Sequence, residues 1–254
     1  MTWGSFGIVH IASLIVAAGI IVGLYLALRK ASRAVQTAVL GVLSFSGIAA
    51  IIFNLVNWGS PLEYLPLHLC SINAILLPIV VFTKNKTLGN LLLVWCLGAL
   101  AALVVNTAQA NFELASPTFM FYYFPHVLEF GIPILLFKLD LIEKHYKYIL
   151  STIILTMLIY TGVHFANVLL NAWCEANQIL DYAGNVIQVN YMYSLVPENP
   201  LLALFKQVIP YDYWYMYVAV VILAVYLAVL YLPQIVRAVK EKKAAKKTNV
   251  AENT

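Results

Sequence analysis

Residues 6–28, FGIVHIASLIVAAGIIVGLYLAL, contain no Asp, Glu, Lys or Arg. Crossing the roughly 30 Å hydrocarbon core of a bilayer takes about 20 apolar residues at 1.5 Å each, so this stretch is long enough to span as a helix. It is too long for the apolar core of a secretory signal peptide and lacks a small-residue cleavage site, so it is read as a retained span. Six more stretches repeat the pattern: Thr37–Trp58, Leu65–Thr83, Leu88–Asn106, Thr118–Leu139, Ile149–Asn171 and Trp214–Leu232. The expected fold is all-α, a polytopic bundle of seven transmembrane helices over residues 1–233, followed by a basic tail, 234–254. Composition agrees: 63% of the 254 residues are hydrophobic and 10% charged, against about 25% charged in a soluble domain.

The placement of charge predicts orientation. Arg29, Lys30 and Arg33 lie between spans one and two, Lys84 and Lys86 between three and four, and Lys138, Lys144 and Lys147 around the turn between five and six. The tail is basic again. The other loops contain Glu63, Glu113, Glu175, Asp181, Glu198 and Asp212, with Lys206 their only basic residue. The positive-inside rule then puts the N-terminus outside and the C-terminus in the cytoplasm. No basic stripe interleaved with aromatics is present, which argues against a nucleic-acid partner. The outer loop 172–213 has two aromatic clusters suited to the headgroup belt. It also contains NPLLALFKQVIP (199–210), which predicts a short surface helix, and YAGN (182–185), which has turn chemistry.

With this topology the polar residues of six spans gather toward the outer leaflet: Asn54 and Asn57, then His68, Cys70 and Asn73, then Asn106, His126 with Glu129, His164 with Asn167 and Asn171, and Asp212 above span seven. Helical spacing gives them common faces: Gly47, Ala50, Asn54 and Asn57 on span two; Tyr122, His126 and Glu129 on span five; Tyr160, His164, Asn167 and Asn171 on span six. Ionisable groups in lipid face the bundle interior and usually mark function. Each also has a plainer role open to it, the asparagines as interhelical glue and His164 as a packing residue. His10 and His145 read as structural or solvated.

The motif LPLHLC (65–70) opens span three. Pro66 suits a helical first turn, where its missing N–H costs nothing. His68 and Cys70 lie two apart, about 200° around a helix, and share no face. A base for Cys70 must therefore come from another helix at the same depth, and His126 is the best placed. A cysteine beside a histidine forms a thiolate nucleophile, although Cys70 can equally be a small buried hydrophobe. Three cysteines, Cys70, Cys96 and Cys174, give no disulfide framework; only a Cys70–Cys174 pair is conceivable on the outer side.

LPLHLCSI (65–72), FPHVLEF (124–130), VNYMYSLVP (189–197) and YDYWYMY (211–217), in this order, resemble the YwaF-like integral membrane proteins. These are bacterial seven-span proteins related to a eukaryotic transmembrane acyltransferase that remodels ether phospholipids. The resemblance extends from about Asn54 to Tyr217. It implies cysteine-centred acyl transfer, with the eukaryotic enzyme's cysteine matched by Cys70 and its histidine by His126. The family is also distantly similar to membrane hydrolases of fatty-acid esters that use a threonine and a histidine.

The leading expectation is an intramembrane acyltransferase or lipid-ester hydrolase in a bacterial cytoplasmic membrane. Cys70 would be the nucleophile and His126 its base. Asn54, Asn57, Asn73, His164 and Asn167 would serve substrate or oxyanion, with His68 and Glu129 in support. The partner would be a phospholipid or lysophospholipid; no cofactor and no metal are expected. Two alternatives stand beside it: a metal-dependent lipid hydrolase built on His68, His126 and His164, and a solute transporter or binding component with the polar cluster as its pocket.

Overall fold

The computed structural model describes residues 3, 6–57, 60–105, 112–198 and 200–252. Among them are nine α-helices: α1 (Ile8–Leu28), α2 (Arg33–Ser44), α3 (Ser46–Asn57), α4 (Leu69–Thr83), α5 (Lys86–Val105), α6 (Pro117–Lys138), α7 (Ile149–Ala176), α8 (Pro200–Val208) and α9 (Tyr217–Glu252). Six segments are long and apolar enough to cross a membrane: α1, α2 with α3, α5, α6, α7 with the turn before it, and 214–242. The expected span ends Trp58 and Asn106 lie outside the described residues.

Span two is interrupted at Phe45. The sequence there, GVLSFSG, supplies poor helix formers, and the Ser44 hydroxyl donates to Gly41 O at 2.6 Å. That back-bond competes with the helical ladder and bends it. Span three is shorter than expected. Pro66 pushes the residue before it out of the helical region, and Leu65 accordingly sits at φ −55°, ψ 145°. The helix begins only at Leu69, with His68 as N-cap, and its 15 residues extend about 22 Å. Pro66 is thus in the turn ahead of the helix, not in its first turn. At the other end α9 continues through the basic tail to Glu252. The tail's Ala, Lys and Glu favour helix, and Arg237 donates to Glu241 at 3.0 Å one turn on.

Helix α6 is the most buried of the spanning segments and packs against α1 to α5. The half of the bundle near the basic loops packs around an apolar core of Leu28, Leu40, Leu77, Val80, Leu92, Leu128, Ile132, Leu135 and Leu136. Its rim is tied by Lys86 to Glu143 at 2.9 Å, an exposed pair that draws the Glu143 carboxyl below its usual range. Helix α1 attaches through the N-terminal segment: His10 Nε2 donates to Leu103 O at 2.7 Å, and Trp3 Nε1 donates to Ser13 Oγ at 2.8 Å. His10 is therefore structural. In the loop after α7, Gly184 takes φ 84°, and backbone N–H groups of Asn185 and Ala183 hold the Asp181 carboxyl below its usual range. This is the turn expected from YAGN.

Two glycines mark close helix approaches of different stiffness. A Cβ on Gly47 would lie 2.5 Å from Ala74 Cβ and 2.7 Å from Glu129 Oε1. A Cβ on Gly41 would meet only the Phe82 ring, 2.5 Å from its tip, and that ring is half exposed and free to swing. Overpacking costs about 1–3 kcal/mol, while replacing a helical glycine by alanine returns about 0.5–1 kcal/mol. Gly47→Ala should therefore lower the thermal midpoint in detergent, and Gly41→Ala should leave it unchanged or raise it. Equal effects from both would show that α3, α4 and α6 are not held at contact distance.

Candidate functional site

Helix α6 presents Tyr122, His126 and Glu129 on one face, as their spacing requires. Pro125 removes one backbone donor from this part of the helix. In the same turn His126 Nδ1 lies 2.6 Å from Tyr122 O. A carbonyl oxygen can only accept, so Nδ1 holds the proton of the neutral ring and Nε2 is left as a lone pair. The Tyr122 hydroxyl donates to Ala102 O at 2.9 Å, which fixes this face of α6 against α5.

Cys70 lies in the first turn of α4. No side chain caps this helix, and its first backbone bond runs from Ile72 N to His68 O at 3.0 Å. The N–H groups of Leu69, Cys70 and Ser71 precede that bond, at the end of a helix where negative charge is favoured.

Cys70, His126 and Glu129 meet: one potential ligand atom from each lies within 4.8 Å of the others. All three line a cavity of about 300 Å³, together with Gly47, Ala50, Ile51 and Asn54 of α3, Ser71 and Ala74 of α4, Thr118, Phe121, Tyr122 and Pro125 of α6, and Tyr64 and Phe112. That volume is at the lower end for ligand pockets. Glu129 is buried, and its Oε2 has no hydrogen-bond partner among the described residues.

The remaining expected residues divide away from this cavity. Asn167 Nδ2 donates to Tyr191 O at 2.8 Å and Ser194 Oγ at 2.9 Å, while its Oδ1 accepts from Tyr191 N at 2.9 Å. Both amide hydrogens are engaged, so none is left for an oxyanion. Asn171 pairs with Val189 in the same two-way manner, and His164 Nδ1 exchanges a hydrogen bond with Ser194 Oγ at 3.0 Å. These α7 residues clamp the segment 189–194. His68 belongs to that assembly too: its ring packs edge-on against Tyr191 at 5.0 Å, and Nδ1 accepts from Met192 N at 3.4 Å. Asn57 returns its amide to Phe53 O at 2.8 Å in an exposed position. Asn73 is buried, yet it is not among the cavity's lining residues, and neither amide atom has a partner among the described residues.

The polar set therefore forms two clusters instead of one. His68, His126 and His164 do not form a ligand group; among the described residues the only such group is Cys70, His126 and Glu129. All three cysteines are free, so the Cys70–Cys174 pair is not made. Ser71, Tyr64, Phe112 and Thr118 line the cavity without having been singled out in the sequence. Only the position of Ser71 beside Cys70 hinted at it.

The model of the TMEM164 family matches residues 5–231. The chain belongs to the TMEM164 family. The match takes in all the cavity residues and the α7 clamp, and it identifies an integral membrane protein. No curated protein and no solved structure matches the chain.

If Asn167 is a clamp, Asn167→Ala leaves the buried N–H of Tyr191 without its partner, at about 1–3 kcal/mol, and leaves the Tyr191 carbonyl only the longer bond from Ser194 N at 3.4 Å. The thermal midpoint should fall and the 177–213 segment should become sensitive to protease. A variant with wild-type stability and protease resistance would free Asn167 for another role.

Proposed function

We propose that this TMEM164 family member is an intramembrane cysteine-dependent acyltransferase or lipid-ester hydrolase, acting on phospholipid-type substrates at the outer leaflet of a bacterial cytoplasmic membrane. The observation that carries this reading is the meeting of Cys70 and His126, from two different helices, at one cavity. The chemistry comes from the YwaF-like resemblance and its acyltransferase relation.

The steps follow from the groups present. His126 Nε2 takes the Cys70 thiol proton, and Sγ attacks the ester carbonyl carbon. Backbone N–H groups at the start of α4 supply donors for the oxyanion, a role in which fixed dipoles are most effective. Collapse breaks the ester C–O bond, the leaving alkoxide takes the proton back from His126, and a lysophospholipid departs. A second hydroxyl, from a lysolipid or from water, gives its proton to Nε2 and attacks the thioester carbonyl; the C–S bond breaks, and Nε2 returns the proton to the leaving thiolate, which restores the Cys70 thiol. Asn54 stands on the cavity wall beside this path.

The orientation belongs to the same proposal: seven crossings, α4 among them, with the N-terminus outside. Its support is the agreement of all four basic segments. Reporters fused to the two ends should appear on opposite faces; both on one face would give six crossings.

Transfer should be measured in proteoliposomes with a labelled phospholipid and a lysolipid acceptor. Cys70→Ser and His126→Ala should each reduce the rate by a factor on the order of 10³ or more, and the double variant should be no worse than either, since the two act as one unit. Retained transfer in Cys70→Ala would remove the nucleophile and with it this reading.

A further inference from the structure

Glu129 has no part in the steps above, yet a carboxyl beside a thiol and an imidazole in an apolar setting is costly unless something opposes its charge. Three features of this cluster match a metal centre. The donor set is one thiol, one imidazole and one carboxyl, with ligand atoms within 4.8 Å of one another. Tetrahedral zinc holds such atoms about 3.3–3.7 Å apart, given bonds of roughly 2.0–2.3 Å, so small rotamer changes close the site. His126 already donates Nδ1–H to the Tyr122 carbonyl at 2.6 Å, the outer-shell bond that metal-ligating histidines almost always make. Finally, Glu129 Oε2 is buried on the cavity wall with no partner among the described residues. A thiolate and a carboxylate together cancel a divalent charge, and three protein ligands leave a fourth position toward the cavity.

We propose that Cys70, His126 and Glu129 form a binding site for Zn2+, in which the metal and an acyl group compete for Cys70 Sγ. Binding exchanges the thiol proton, and any carboxyl proton, for the metal; no electron moves. The thiolate and imidazole select zinc over magnesium and calcium, which prefer oxygen ligands. The competition, though not the binding, rests on the acyl-transfer reading.

The test uses the full chain in detergent, with Co2+ as the spectroscopic probe. Wild-type protein should develop a thiolate-to-cobalt charge-transfer band that Zn2+ removes. Glu129→Gln and His126→Ala, checked for folding by size exclusion and circular dichroism, should weaken Co2+ binding on the order of tenfold or more. A second measurement needs no variant: Zn2+ should slow maleimide labelling of Cys70 in wild-type protein, read by peptide mass spectrometry, with Mg2+ without effect. No cobalt–thiolate band in folded wild-type protein, or labelling indifferent to Zn2+, overturns the site and leaves the acyl-transfer reading intact. A band together with acyl transfer that requires Zn2+ overturns the competition. A band with no acylation of Cys70 under any condition overturns the acyl-transfer reading and leaves the metal site standing.

Discussion

The contact of α3, α4 and α6 at Gly47 is the constraint on which the cavity depends. Ala74 and the Glu129 carboxyl both come closer than 3 Å to where a Gly47 side chain would begin. One turn of each helix away from this contact stand Ala50 on α3, Cys70 on α4 and His126 on α6, so the glycine sets the distance at which the reactive groups face one another. The half of the bundle near the basic loops closes around Leu77, Leu128 and Ile132, and its buried Gln36 and Asn90 are engaged in helix-end contacts, with Leu28 O and with Glu143 O and the Tyr231 hydroxyl. The cavity and its reactive groups belong to the half in which α4 begins.

The α7 clamp bears on that site indirectly. Asn167 and Asn171 hold residues 189–194 as a neighbouring strand would, through paired N–H and C=O bonds. Tyr191, held in this way, accepts Leu65 N–H at 3.1 Å with its hydroxyl and donates the same hydroxyl to Leu62 O. Its ring packs on His68, the N-cap of α4. The chain of contacts from α7 to the loop to the start of α4 fixes where Cys70 is presented. Buried asparagines in a membrane helix here give position and need no chemistry of their own.

Helical segments and their apolar faces were legible in the sequence because lipid demands long apolar runs and bundle packing demands a period near 3.6. That Cys70 and His126 stand at a common height along the bundle is legible for the same reason, since rise per residue converts position into height. What escaped was local. Pro66 has the residue type of a helix opener, but its effect on Leu65 delays the helix to Leu69 and takes His68 out of it. The division of the polar residues into two clusters depends on where the 177–213 loop folds back, and helical spacing contains no information on that. The His126 tautomer follows from one bond to Tyr122 O, which only coordinates reveal. Spacing on α6 pairs Glu129 only with His126; its proximity to Cys70 as well comes from the crossing of α4 over α6.

The most direct test of the account is to incubate the wild-type chain with a phospholipid of defined acyl chains, quench in acid, and map the adduct by peptide mass spectrometry. One added acyl group is expected on the peptide containing Cys70, removed by neutral hydroxylamine as a thioester is, and absent from His126→Ala. An unmodified Cys70 peptide during active turnover, or an acyl group on a different residue, would contradict it.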